Sequence, residues 1–441
     1  MDRREQISLR TDVVIAGGGA AGVAAAVTAA RRGLKVVLLE RYGFCGGGAV
    51  AGLSGTICGM YAASNTSNVP QQVVFGFADE FLRLLRDCGG LTSALKYGKT
   101  FTHVHDPYIW RCVADKLLVD SGVTVIYHAT VTGILMDGQE KVEGVLAYSK
   151  QGPLEIRAKV TIDASGDADL IAMANLPSFV GKNGAVQNPT MIFRLQGVDC
   201  ERFLGEYGLD TIMPVSVSEL IQRANSSGQY KLPRAKIWLF PTTHPNELLC
   251  NTTRVIGPDG RELNPLFYQD FTDAEIEGRK QVAEYARFFK DALTGCEHSY
   301  IADTAPQVGV RQTRQALGRV VLSNDDVIHA RKSADGIVRS PWPIELHTGA
   351  KPRVEWIIDD FYEVPYGCFV PPRGVGILVA GRCLSAEHEA VASARVTAQC
   401  FGYGEAIGLA AAISVQQNVP PDRIEGHALR TELNKLGAQL A

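Results

Sequence analysis

The chain has 441 residues, with 44 Lys and Arg against 47 Asp and Glu, a net charge of −3. At ~150 residues per domain, this length predicts two or three domains, and the near-neutral charge excludes a protein held to nucleic acid or anionic lipid by bulk charge. With 46% hydrophobic residues a sizeable core is expected, and glycine is over-used, at 45 of 441 against a usual ~7%.

The N-terminal stretch MDRREQISLR is polar and has no apolar core of a secretory signal. No apolar run reaches the ~18 residues of a membrane span. The ten cysteines are scattered without a Cys-x-x-Cys pair, which reads as reduced thiols and a cytoplasmic chain. The first predicted strand is Asp12–Ala16, followed by the turn Gly17-Gly18-Gly19-Ala20-Ala21-Gly22 and an Ala-rich helix to Arg32. Gly33 ends that helix, and Lys35–Glu40 is the next strand. Strand, turn, helix and strand make a βαβ unit with a parallel pair. Residues 43–60 form a glycine-rich loop. The apolar spacing predicts amphipathic helices over 73–88 and 108–120. Val123–Tyr127 reads as a strand, and Gly133–Met136 and Gly144–Tyr148 flank Asp137-Gly138 as a hairpin. Val160–Ala164 is a strand running into Ser165-Gly166-Asp167. From 181 to 364 the character changes, with strand-like runs at Thr190–Leu195 and Lys236–Phe240 and a long polar helix near 272–292. Gly376–Ala380 restores the buried-strand pattern, 393–415 predicts one long small-residue helix, and one more helix is expected beyond 420.

Gly17-x-Gly19-x-x-Gly22 sits where a dinucleotide fingerprint must. Its first glycine allows a tight turn, its second admits a pyrophosphate, and its third lets helix and strand pack. The helix N-terminus supplies free N–H groups and a positive dipole end. Glu40 closes the second strand, where a carboxylate accepts from a ribose diol and repels a 2′-phosphate. Two further strand ends, Ala164-Ser165-Gly166-Asp167 and Val379-Ala380-Gly381-Arg382, can approach the same ligand, and the helix after Arg382 can face a flavin ring with its N-terminus. A surface this distributed suits FAD rather than NAD. Ala20, Ala21, Arg41, Gly46, Gly47, Val131 and Arg395 complete the expected cofactor surface. Residues 17–59 hold 12 glycines and residues 366–408 hold 7, so the glycine excess gathers on the two stretches assigned to FAD. No second Gly-x-Gly-x-x-Gly follows, so no dedicated NAD(P)H domain is expected.

TDVVIAGGGAAGVAAAVTAARRGLKVVLLE resembles the FAD motif of the glutathione-reductase-type flavoproteins. VTIDASGDADL, DTAPQVGVRQTRQALG, YEVPYGCFVPPRGVGILVAGRCLSAEHEAVASAR and CFGYGEAIGLAAAIS resemble the bacterial FAD-dependent oxidoreductase family, which includes heterodisulfide-reductase-type flavoprotein subunits. The resemblance covers both ends of the chain and is thin over about 195–300. The chain departs from iron–sulfur-carrying relatives, whose clustered cysteines it lacks, and from disulfide reductases, whose close cysteine pair it lacks. The expected fold is α/β: a Rossmann-like FAD-binding domain, with a central parallel sheet in a three-layer ββα arrangement, formed by residues 1–180 and 365–441. A second α+β substrate domain, 181–364, interrupts it.

The resemblance implies an FAD-dependent oxidoreductase that oxidises, desaturates or reversibly reduces a small organic substrate by hydride transfer at flavin N5. Two alternatives stay open: an FAD-dependent isomerase or lyase without net redox, and a subunit passing electrons to a partner protein. The second electron partner is open among oxygen, a quinone, NAD(P)H and a protein, as is a homo-oligomer. By resemblance the Glu387-His388-Glu389 loop lies beside the flavin, which makes His388 the candidate base, its flanking carboxylates fixing its tautomer or raising its pKa. Arg311 and Arg314 fall in a segment that faces the active cleft in the family, where a guanidinium can grip a substrate carboxylate or form a structural ion pair. Tyr61 is a candidate proton donor. His103-x-His105 places two imidazoles on one strand face, without an obvious third ligand for a metal, so none is expected. Cys45 and Cys58, in the loop near the flavin, read as buried filler. Trp238, Trp342 and Trp356 receive no role.

Overall fold

The structure, a computed structural model, describes residues 7–138, 140–347 and 352–440; the first six residues of the polar N-terminal stretch lie outside them. The strand Ile7–Ala16 sits in the middle of a seven-stranded sheet. Its last four residues are buried on both faces, as strands of a covered parallel sheet are. Val13–Ala16 run parallel to Val36–Leu39 on one side and to Val160–Asp163 on the other. Thr124–Ile126 extends the sheet beyond Val36–Leu39, and Ile377–Val379 pairs with Thr161–Asp163, also in parallel. The strand Gly152–Asp163 serves two layers. Leu154–Asp163 pair in parallel with the Ile7–Ala16 strand, while on the other edge residues 152–157 pair antiparallel with Lys141–Ser149, which forms a hairpin with Thr130–Asp137. This is the expected α/β arrangement.

The helix Ala20–Arg31 is buried from Ala21 to Ala30, because it lies between the sheet and the long helix Thr397–Gln417. Small residues allow this. A Cβ on Gly404 would fall 2.1 Å from the Ala21 carbonyl oxygen, and one on Gly408 would fall 2.4 Å from that of Ala25. The two helices therefore meet backbone to backbone. The predicted helix over 393–415 is in fact two, Ala390–Ala394 and Thr397–Gln417. Val396, at φ −75° and ψ 163°, is extended and breaks them, so the second helix begins afresh beside Arg395. The helix expected over 73–88 is shorter, Phe77–Asp87. Gly76, at φ +77°, turns the chain into it, and the Phe77 N–H donates to the Glu405 carboxylate at 3.1 Å.

A second sheet is wholly antiparallel, in the order Trp238–Pro241, Glu247–Asn251, Phe193–Gln196, Tyr300–Thr304. The helix Tyr268–Ala292 backs it, with Phe289 stacked on Phe193. Its apolar cluster is separate from the one that holds the Ala20–Arg31 helix. The segment holding Ile337, Val338, Ile344 and Leu346 packs into the first cluster, although it lies within the 181–364 stretch.

Candidate functional site

A deep cleft opens at the carboxyl ends of the parallel strands, where Ala16, Leu39, Ala164 and Ala380 all reach its wall. This is where open α/β sheets place their ligands. From there it runs to the second sheet, reaching Ile192, Phe240 and Asn251.

Backbone builds the first end. Gly17 has φ +105°, and a Cβ there would meet the Ala164 carbonyl oxygen at 2.4 Å. A Cβ on Gly22 would meet the Gly17 oxygen at 1.9 Å, and Gly22 does not line the cleft, so these two glycines serve the packing of the turn. Gly19 is different. Its φ is −69°, open to any residue, and a Cβ would meet only the Gly47 Cα, at 3.8 Å. Gly48 has nothing within 4 Å of its added Cβ. Between them lies a groove without side chains, faced by Ala20, Ala21 and Gly47 at the start of the Ala20–Arg31 helix, whose first N–H groups have no partner within the helix. Gly46, at φ +141°, closes the groove's loop against Val50.

The Glu40 carboxylate lines the cleft beside this groove and accepts from the N–H groups of Gly18, at 2.7 Å, and Tyr42, at 2.9 Å. Burial raises its pKa, and the two N–H groups oppose the rise. Each oxygen retains a lone pair for a ligand hydroxyl. Arg41 reaches Gln307 at 2.6 Å. Val131, Ala164, Gly166 and Gly381 also line the wall. Asp167 takes hydrogen bonds from Arg382 at 2.7 Å and Thr313 at 2.5 Å; burial would raise its carboxyl, but Arg382 and Thr313 outweigh it and lower it. A bare groove at a helix N-terminus, with a carboxylate alongside, fits the diphosphate and ribose of a dinucleotide.

Side chains build the other end. Arg311, 6% exposed, donates to the Asn188 carbonyl at 2.8 Å and weakly to Asn251 Oδ1 at 3.5 Å. Asn251 Oδ1 also accepts from Arg234, at 3.2 Å. Arg234 donates to His347 Nδ1 at 3.4 Å, which leaves the His347 proton on Nε2, 3.5 Å from Glu345 Oε1. Tyr97 donates to the same Glu345 oxygen at 2.8 Å. Burial opposes ionisation of Glu345, but His347, Tyr97 and the Arg395 charge overcome it and hold the carboxyl below its usual range. His347 is pushed far down by burial and by Arg311, so its imidazole is neutral. Arg395, lifted into the cleft at the helix break, donates to Gln187 at 3.4 Å.

Of the residues singled out from sequence, the cleft gathers Arg311 and Arg395 at this end and the cofactor set other than Gly22 along the wall. It does not gather His388 or Tyr61. The loop before His388 is strapped to Cys368 and Leu322 through the N–H groups of Ser385 and Glu387, which carries His388 toward Gly181 and Lys182. Its flanking carboxylates are spent elsewhere: Glu387 accepts from the Asn324 N–H and Glu389 from Arg353. Burial lowers the His388 pKa, and the opposing charge of Glu389 does not overcome it. The Tyr61 hydroxyl donates to His103 Nε2 at 2.7 Å, while His103 Nδ1 donates to the Thr92 carbonyl. His105 packs against Trp110 with the rings tilted at 46°, and among the described residues no three His, Cys, Asp or Glu side chains form a metal-ligating group. Arg314 is tied to Asp169 and the Asp167 carbonyl. Cys45 is buried off the cleft, whereas Cys58 lines it with its thiol pushed up to about 11 by burial.

Sequence reasoning missed Tyr97, Asn251, Trp342, Glu345 and His347. Glu345-x-His347 carried a signal, since residues two apart on a strand share a face. It went unread beside the more conspicuous His103-x-His105.

Residues 12–433 match the protein-family model described as FAD dependent oxidoreductase. No curated protein matches the chain. Among solved structures, p-nitrophenol 4-monooxygenase PnpA from Pseudomonas putida DLL-E4 is similar at 10% identity and a TM-score of 0.51, over 99% of this chain and 88% of that one. The flavin-dependent brominase Bmp2 is similar at 16% identity and a TM-score of 0.50, over 97% of this chain and 83% of that one. Likeness at such identities is likeness of fold. The family match takes in both the bare groove and the polar end of the cleft, and the chain belongs to the FAD dependent oxidoreductase family, an enzyme whose cofactor is FAD.

Proposed function

We propose that this enzyme moves hydride between a small organic substrate and FAD, oxidising or desaturating the substrate or running the same step in reverse. One observation carries the reading: a single cleft joins the bare glycine groove to a polar end lined by buried side chains with its own hydrogen-bonded chain. Gly19, Gly47 and the helix beginning at Ala20 would hold the FAD diphosphate. Glu40 would hold the ribose hydroxyls, and Arg41, Val131, Ala164, Gly166, Asp167, Gly381 and Arg382 would flank the rest. Arg395 and the start of the Thr397–Gln417 helix would face the ring. Bound FAD supplies a two-electron acceptor or donor.

The protein supplies position and proton handling. Glu345, ionised and oriented by Tyr97 and His347, is the group suited to take the substrate's O–H or N–H proton as its C–H bond gives up hydride. Phe240 and Trp342 exclude water from that end. Residues 1–180 and 365–441 would then be the cofactor-bearing part and 181–364 the substrate-bearing part. A subunit that only relays electrons has no use for a buried side-chain chain of this kind, so the dehydrogenase-type reading is preferred over the heterodisulfide-reductase-type one.

The test is spectroscopic. Purified protein should be yellow, and its flavin band should bleach without oxygen when a substrate from a metabolite panel is added. A colourless protein that takes up no added FAD defeats the cofactor map. A yellow one that turns substrate over anaerobically with no acceptor points to isomerase chemistry instead.

A further inference from the structure

The polar end of the cleft contains more positive charge than its own residues neutralise. Arg234, Arg311 and Arg395 are all buried there, and among the described residues the carboxylate whose charge acts on all three is Glu345. With His347 neutral, the cluster keeps two positive charges in excess. Elsewhere in the chain, arginines are matched to acids in bidentate pairs, Arg261 with Asp270 at 2.6 Å and Arg31 with Glu80 at 2.7 and 2.8 Å. For these three arginines the acceptors among the described residues are neutral: the Asn188 carbonyl, the Asn251 and Gln187 amides, and the His347 ring. The Nε atoms of Arg234 and Arg395 are buried without a partner among the described residues. Arg234 is backed by Trp238, its guanidinium 4.2 Å from the ring centroid, which fixes it as a rear wall.

Buried cations short of counter-ions are costly, and the cost shows as guanidinium pKa values depressed by burial at all three, most strongly at Arg311, where the charges of Arg234 and Arg395 add to it. Arg311 and Arg395 line the cleft, so an incoming anion meets both. A guanidinium fork matches a carboxylate in shape as well as charge. Apolar Phe240 and Trp342 stand on the same wall and suit a carbon skeleton.

We propose that the substrate carries a carboxylate, which docks on Arg311 and Arg395 and supplies the charge this end lacks. This inference rests on the hydride-transfer reading above and names the substrate class of that same site. It also separates recognition from chemistry: the two arginines hold the acid, and Glu345 faces the reacting carbon's hydroxyl or amine.

The experiment titrates the FAD-loaded enzyme with a series of simple carboxylates, from acetate to benzoate, each beside its uncharged amide. The readout is perturbation of the flavin absorption band. Saturable shifts are expected with acids and not with amides, weakened roughly tenfold to hundredfold in Arg311→Gln and less in Arg311→Lys, which keeps the charge and loses the fork. FAD content of each variant reports whether it has folded, and the acid–amide contrast in the unaltered enzyme needs no variant at all. Equal responses to acid and amide, or no response to any acid in the series, overturn the proposal. So does an Arg311→Gln variant that lowers the flavin reduction potential while binding acids as before, since the positive charge then serves the flavin. Failure to bind FAD is a separate result and defeats the functional reading itself.

Discussion

At the Gly17–Gly22 end of the cleft the wall is backbone, at the Arg311 end it is charged side chain, and the two tolerate change differently. The groove offers N–H dipoles and empty space, and its demands are steric. The polar end offers guanidinium groups, a carboxylate and an imidazole whose protonation states depend on one another, and its demands are electrostatic. Substitutions should therefore damage the first end by filling it and the second by unbalancing it.

The largest effect separates two glycines of one motif. Gly17→Val should lose about 3–5 kcal/mol of stability, because its Cβ meets the Ala164 oxygen at 2.4 Å inside the fold. Little soluble, FAD-free protein should remain. Gly19→Val should melt within a few degrees of the parent yet bind FAD roughly a hundredfold more weakly, since its Cβ enters only the open groove. If both variants melt alike, the division between packing and cradle glycines is wrong. Next is Glu345→Gln. Anaerobic flavin reduction should slow by roughly 10²–10⁴ with FAD content unchanged, and an unchanged rate removes Glu345 from proton transfer. Glu40→Gln keeps the shape and loses the charge, so FAD affinity should fall about tenfold with turnover at saturating FAD near normal.

The smallest effect comes from a buried acid outside the cleft. Burial raises Glu405 to about 7, and its carboxylate accepts from the Phe77 N–H. The fold thus binds the Glu405 proton more tightly than the unfolded chain does, and ionisation costs stability as pH rises from about 4.5 to about 7. Glu405→Gln should stabilise by about 1–3 kcal/mol at pH 8, with the gain fading below pH 5. Melting curves at pH 5 and 8 check this. Removing a charge helps at Glu405 and harms at Glu345, which tests whether the polar end is a working cluster or merely a buried one.

The groove was legible in the sequence because it is local. Gly17, Gly19, Gly22 and Glu40 lie within one βαβ unit at spacings that backbone geometry imposes. The polar end comes from Tyr97, Arg234, Asn251, Arg311, Glu345 and Arg395, each on a different segment, and only the sheet's topology brings them together. His388 misled for a related reason, since strand Ile377–Val379 leads toward the cleft but the Ser385–Glu387 strap turns the loop away. The glycine excess also divides. Gly381 lines the cleft, but Gly402 abuts Val338, and Gly404 and Gly408 meet the Ala20–Arg31 helix, so part of the second cluster serves helix packing and not the cofactor.

That backbone contact bears on how the chain assembles. The Ala20–Arg31 helix leaves the ribosome well before Thr397–Gln417, with the antiparallel sheet and its backing helix between them in the chain. The groove's helix cannot reach its final packing until Thr397–Gln417 has been synthesised, which makes this a closure of high contact order and a slow one. FAD capture is then a late event, available only to a nascent chain that has already housed its middle section.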